Sequence, residues 1–198
     1  SFSYMDCSIF TKLYKALVRP HMEYANPVWS PSLKKNIIAL ENVQRRATKS
    51  IAEIRDLSYE ERLRKLKLPT LVFRRLRGDM IETYKIVSGH YDSEIENLFP
   101  MYNEHVQRTG NRGHSKKIYQ PKANLNIRKH FFSNRVIDLW NALPENVINA
   151  DNIKTFERRL DKHWRYQPIV YNFEAVMSKD TVGSPASIIF LFLFLFLL

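Results

Sequence analysis

Apolar side chains recur at helical spacing in one stretch after another, and each stretch is bounded by a proline, a glycine or a capping residue. A period of three to four residues turns one face of a helix inward, whereas strands need strict alternation, so this pattern sets the class of fold. Phe10, Leu13, Tyr14 and Leu17 mark a first helix within residues 9–18, which Pro20 is expected to end or kink because its ring clashes with the preceding turn. The following RPHMEYANPVWSP reads as an ordered connector in which Tyr24 and Trp29 are available for packing. Ser30 as cap and Pro31 at the first position predict a second helix over about residues 31–52, with an apolar stripe of Leu33, Ile37, Leu40, Ala47 and Ile51 interrupted by Gln44. Ser58 and Glu61 have the spacing of a capping box in front of a short helix containing ERLRKL. Pro69 opens a longer helix with Phe73, Leu76, Met80, Tyr84 and Val87 on one side, ending near Ser88 and Gly89.

Further along, a short helix is expected near 93–99. Gly110, Gly113, Pro121 and several asparagines make 103–125 a loop region, with Lys117 to Gln120 as a short strand. Ile127, Phe131, Val136, Leu139, Trp140 and Leu143 predict a long helix from Asn126 that stops before Pro144. A last helix, capped by Asp151, runs from Asn152 to Trp164 and carries Ile153, Phe156, Leu160 and Trp164. The expected fold is therefore mainly α, about six helices in a bundle-like arrangement, with a basic loop or short hairpin inserted near 103–125. The expected organisation is a helical region over 1–100, a basic loop with C-terminal helices over 101–166, and a disordered or spurious tail over 167–198. No core pattern is visible beyond Tyr166.

The chain has 198 residues, enough for one domain with appendages, and 44% apolar with 13% aromatic residues can supply a core. Cys7 is the single cysteine, which rules out an internal disulfide and any multi-cysteine zinc site and favours a reducing compartment. The first residues carry neither a positive leader nor an initiating methionine, so the chain is expected to be a piece of something longer. At the other end, IIFLFLFLFLL over 188–198 is eleven apolar residues, about half of the roughly 20 that a spanning helix needs. A simple span is not expected, and the strict Phe/Leu alternation is that of translated pyrimidine-rich repeat DNA.

Charge is the main pointer to function. Lys and Arg number 31 against 20 Asp and Glu, a formal +11, which attracts polyanions without saying anything about fold. Between Lys34 and Arg77 stand thirteen Lys or Arg and five acids, a net +8. From Arg108 to Arg135 there are eight Lys or Arg and no acid, with His114 and His130 in addition and Tyr119, Phe131 and Phe132 interleaved. A solvated surface normally mixes signs, so an acid-free run of 28 residues points to phosphate binding. The binding candidates are Arg112, Lys116, Lys117, Lys122, Arg128 and Lys129, with Arg45, Arg46 and Lys49 as a second patch. Backbone amides of TGNRGHSKK add to them. Trp140, Trp164, Phe73 and Tyr84 lie in helical apolar stripes and are assigned to the core. Tyr119, following two lysines in a loop or edge strand, is the candidate for stacking on an unpaired base.

Catalytic signatures are missing from this sequence. Two-metal chemistry needs clustered carboxylates, whereas Glu60 and Glu61 belong to a helix start and Asp151, Glu157 and Asp161 are spread along another helix. The six histidines are dispersed, no HExxH occurs, and no glycine-rich phosphate loop follows a strand. No cofactor, metal or small-molecule substrate is expected.

Five phrases in order, LYKALVRPHMEYANPVWSP, LENVQRRATKSI, LSYEERLRKLKLPTLVFRRLRGDMIETYKI, NRGHSKK and FFSNRVIDLWNALPENVINADNIKTFERRLDKHW, resemble the region after the polymerase palm in jockey-like non-LTR retrotransposon reverse transcriptases. The resemblance covers about residues 8–166. It implies a thumb formed by the first helices and a C-terminal segment that helps to hold template RNA and target DNA during target-primed reverse transcription. It also implies an intracellular, nuclear location for an expressed protein. The family's catalytic aspartates lie upstream of the matching region, and the cysteine–histidine knuckle of some related elements is missing here. The expectation is a nucleic-acid-binding fragment of an RNA-directed DNA polymerase, with RNA, DNA or both as partner and no catalytic residues of its own. A membrane-surface protein held by the Phe/Leu run against anionic lipid is the alternative.

Overall fold

The computed structural model describes residues 6–92, 95, 98–102 and 114–178. The protein is mainly helical, and among the described residues the only β-pairing is an isolated antiparallel bridge between Met101 and Ile118. The expected strand at Lys117–Gln120 is reduced to that bridge, supported by Tyr102 N–H to the Lys117 carbonyl at 2.9 Å and Tyr119 N–H to the Pro100 carbonyl at 2.8 Å. Most of the expected 93–99 helix, the loop at 103–113 and the Phe/Leu run lie outside the described residues.

Helix α1 (Cys7–Leu13) is capped by the Asp6 side chain and passes into a π-helical turn, Tyr14–Val18, and then α2 (Arg19–Glu23). Pro20 therefore does not stop the helix. It sits in the first turn of α2, where its missing N–H is tolerated, and the wider π turn just before it supplies room for the ring. Helix α3 (Lys34–Lys49) begins after Leu33 and has no side-chain cap, so Ser30 does not play the expected role. Its buried residues are Glu41, Gln44 and Thr48, and Leu33 is exposed. The interruption in the apolar stripe is thus the centre of the buried face.

A polar network explains that inversion. Tyr14 donates to Gln44 at 2.8 Å, Gln44 donates to Tyr59 and to the Pro69 carbonyl, and Tyr59 donates to Glu41 at 2.7 Å. Glu41 also accepts from the Leu71 amide at 3.0 Å, at the start of α5 (Leu71–Val87), where free amides and the helix dipole favour an anion. Burial pushes the Glu41 carboxyl upward, against the pull of these donors. Helix α4 (Tyr59–Leu66) carries the expected capping box, with both Ser58–Glu61 bonds formed. Thr70 caps α5, and Gly89, at φ 69, follows its end in a conformation that side chains disfavour.

The long helix expected from Asn126 is instead three short ones, α6 (Asn126–Lys129), α7 (Phe132–Arg135) and α8 (Ile137–Asn141). The main break is at Phe131, which is extended at ψ 148. Side chains take the carbonyls freed there: Asn134 donates to Arg128 O at 2.7 Å and Arg135 to His130 O at 3.3 Å. After Pro144 come α9 (Glu145–Ile148) and α10 (Ile153–His163). Asn152, not Asp151, caps α10 by accepting from the Thr155 amide.

Two apolar clusters result. The larger joins Phe73, Met80 and Tyr84 of α5 to Val136, Trp140, Phe156, Leu160 and Trp164; the smaller joins Phe10, Tyr14, Ile51, Ile54, Leu63, Leu66 and Leu68. Phe73, Tyr84, Trp140 and Trp164 are buried as assigned. Contrary to the expected lack of a core pattern beyond Tyr166, Ile169 and Met177 are buried in the larger cluster and Tyr171 packs on the smaller. Their apolar positions have no helical period, so spacing gave no sign of them.

Candidate nucleic-acid interface

Long-range pairing decides which of the many cations face solvent. In the first basic stretch Arg62 is buried and donates to Leu57 O, Thr48 Oγ1 and Arg45 O. Arg74 makes a fork with Glu23, and Arg77 makes one with Asp161. Arg45 is half-buried, its guanidinium 5.1 Å from the Tyr59 ring and 5.3 Å from the Phe173 ring, and its Nε is buried with no hydrogen-bond partner. Of the second patch only Arg46 and Lys49 are exposed, while Arg45 is engaged internally.

The acid-free stretch divides in the same way. Arg112 lies outside the described residues. His114 is turned inward: its Nε2 lies 2.9 Å from the Trp140 carbonyl and therefore donates, its Nδ1 has no hydrogen-bond partner, and burial lowers its pKa. Trp140 Nε1 donates to the Lys116 carbonyl at 2.8 Å, so the backbone of 114–118 is anchored on the larger core. Ile118 is anchored as well, exchanging backbone bonds with the Asn141 side chain. Lys116 is half-buried, with Nζ 3.5 Å from Ser88 Oγ and 5.9 Å from the centre of the Tyr84 ring. Lys117 and Tyr119 are half-buried too.

Lys122, Arg128 and Lys129 are exposed. Lys122 and Lys129 line one concavity of about 330 Å³, with Gln120, Pro121, Ala123 and Asn134 as the other described residues around it. None of these is acidic. The nearest sign of internal use is the Lys129 ammonium, 3.4 Å from Asn126 Oδ1, a neutral contact that leaves the charge unbalanced. The structure thus brings together two of the sequence candidates, keeps Arg128 beside them on α6, and sets Lys116, Lys117 and Tyr119 in a partly buried segment.

Arg135, the last cation of the stretch, is structural. It makes a fork with Asp79, both bonds at 3.0 Å, and donates to Asn26 O at 2.9 Å and to the carbonyls of Pro27 and His130. Asn26 completes the hub by donating to Asp79 at 2.7 Å and to Arg75 O. Burial pushes the Asp79 carboxyl above its usual range in spite of Arg135. This hub ties the connector after α2 to α5 and to the α6–α7 joint.

A second basic concavity, of about 600 Å³, was not expected from the sequence. It is lined by Asn146, Val147, Arg159, Lys162 and His163, and Arg159 is held there by the carbonyls of Asn146 and Asn149. Asn146 and Val147 come from α9, and Arg159, Lys162 and His163 share α10 with Glu157 and Asp161, which hides the grouping in the sequence. Among the described residues no set of three or more His, Cys, Asp or Glu is placed to hold a metal ion, and no helix is long and apolar enough to cross a membrane. Comparison of the chain with family models, with curated proteins and with solved structures gave no match.

Proposed function

We propose that this chain is a nucleic-acid-binding segment of a non-LTR retrotransposon reverse transcriptase, from the part after the palm. In this reading it holds template or target by phosphate contacts and has no catalytic residues of its own. The observation that carries the binding is the exposed group Lys122, Arg128 and Lys129, with no acid among the described residues lining the concavity that two of them share. Cations placed in this way neutralise phosphates and release condensed counterions, whereas cations already forked to carboxylates, such as Arg74 and Arg77, gain little from an added anion. The origin in a reverse transcriptase rests on the five ordered phrases of the sequence.

The test is binding across a salt series, on single-stranded and duplex probes of unrelated sequence. Affinity should fall steeply with salt. Replacing Lys122 and Lys129 together with Ala should make the log–log slope shallower by about 1.8 on duplex or about 1.4 on a single strand, two contacts' worth. Different sequences should weaken alike, because phosphate contacts position a protein without reading bases. A parent that binds no better than a neutral protein at low salt, or a double variant with the parent's slope, would refute the reading.

A further inference from the structure

A groove of about 410 Å³ that shares α6 with the Lys122–Lys129 concavity is lined by exposed aromatic and aliphatic side chains. Trp29 and Phe131 are 44% and 55% exposed, and Val28 and Ile127 still more so. Large rings left this open at one place on a monomer usually mark a binding surface. The floor is fixed: Phe132 packs on Phe99 with ring centres 5.7 Å apart, and the Arg135 guanidinium lies 5.4 Å above the Phe132 ring. The walls are fixed as well, because Arg135 holds the carbonyls of Asn26 and Pro27 on one side and His130 on the other. Ala25, at φ 49, is kept in a left-handed conformation in the turn that carries Trp29. A buried polar hub thus holds together the two segments that bring Trp29 and Phe131 to one groove.

We infer that this groove is a platform for unpaired bases, on which a single-stranded nucleic acid stacks against Trp29 and Phe131 while its phosphates follow Arg128, Lys129 and Lys122. The inference rests on the phosphate-binding reading and adds a strand preference to it. Charge selects the occupant. Ile127 lines the aromatic groove and Lys129 the basic concavity, so the two surfaces adjoin across four residues of α6, and no acidic side chain is among the described residues lining either. A single strand presents this combination, a flat apolar face beside a regularly spaced anion, and a duplex does not, since its bases are already stacked on one another. A helical peptide would meet the apolar wall equally well but would leave the cations without partners.

Binding of the full chain to a labelled single strand of about 12 nucleotides and to a duplex of the same length tests this. Trp29→Leu and Phe131→Leu keep apolar bulk and discard the π face, and Trp29→Phe and Phe131→Tyr keep it. Each Leu variant is expected to weaken single-strand binding about fivefold or more with the duplex affinity and the salt slope unchanged, and the aromatic variants should retain most of the parent's affinity. Tyr166→Ala, which removes an exposed ring outside the groove, should behave as the parent does. Leu variants that bind the single strand as tightly as the parent, or that lose single strand and duplex equally, overturn the platform while leaving phosphate binding standing. No binding of either probe by the parent overturns both. Unchanged duplex affinity in a Leu variant also answers the concern that it is merely misfolded.

Discussion

Arg135 shows how a residue's role depends on partners far from it in sequence. It belongs by position to the acid-free run, yet its fork is closed by Asp79 and its other donors by the connector after α2. Breaking a buried pair leaves a charge without compensation, so Arg135→Ala should destabilise folding by about 3–5 kcal/mol in denaturant unfolding. Arg135→Lys should recover little of this, because one ammonium cannot reproduce a planar fork with donors to three carbonyls. A loss below about 1 kcal/mol would mean that the hub is dispensable. His114 offers a second test. Its folded pKa lies below the ordinary 6.5, with burial as the main cause, Glu145 opposing it and Lys117 adding to it. The folded protein therefore binds that proton more weakly than the unfolded chain. The stability gained from neutral His114 is complete above about pH 6.5 and is lost as pH falls below it. Relative to His114→Gln, the parent's melting temperature should hold its lead at pH 7.5 and give it up towards pH 5. A lead that is constant or grows with acidity would contradict the neutral, inward ring.

Some elements defined by contacts three or four residues apart were legible in the sequence, and those defined across the chain were not. The α4 capping box joins residues three apart and formed as the spacing required. Ser58→Ala should cost about 1 kcal/mol of stability, measurable by chemical denaturation. Helix α3 misleads because Glu41 and Gln44 look like interruptions until Tyr14, Tyr59 and the start of α5 are in place around them. The 126–143 segment misleads for the opposite reason: its apolar spacing is helical throughout, but Asn134 and Arg135 reward a break by taking the carbonyls that an unbroken helix would bind. The break is also what exposes Phe131 and Ile127, so the aromatic groove was invisible to periodicity. Among the binding candidates, Lys122, Arg128 and Lys129 are exposed. Arg45 is half-buried instead, because the ring of Phe173, 128 positions away in sequence, covers it and cannot be anticipated from α3. Where period and burial agree, the assignment is firm. Trp140→Ala should cost about 3–5 kcal/mol, and because the Trp140 indole and carbonyl also anchor Lys116 and His114, amide exchange should quicken over 114–118.

At the scale of the molecule, the two apolar clusters are joined by a segment that composition alone would assign to a tail. Residues 167–178 return along both: Ile169 and Met177 fill the larger cluster, Tyr171 packs on the smaller, and Phe173 meets Tyr59 and Arg45. Thr70, at the point where the chain passes from one cluster to the other, donates through Oγ1 to Ile169 O at 2.6 Å and through its amide to Val170 O at 2.8 Å. Gln167 and Ser178 close the segment on itself with two further bonds. Burying Ile169 and Met177 contributes about 1.5–3 kcal/mol each, and the bonds to Thr70 satisfy groups that would otherwise be buried without partners. A strap of this kind couples the two cores. A chain ending after Ser178 should therefore unfold in a single transition, with tryptophan fluorescence, dominated by Trp140 and Trp164 in the larger cluster, coinciding with far-ultraviolet circular dichroism. A chain ending after Tyr166 should lose several kcal/mol and the coincidence of the two probes, the smaller cluster melting first because it has fewer buried side chains to hold it. Equal midpoints for the two chains would reduce residues 167–178 to a passive covering, and a shorter chain that is less stable yet still unfolds in one step would show that α5 alone couples the clusters.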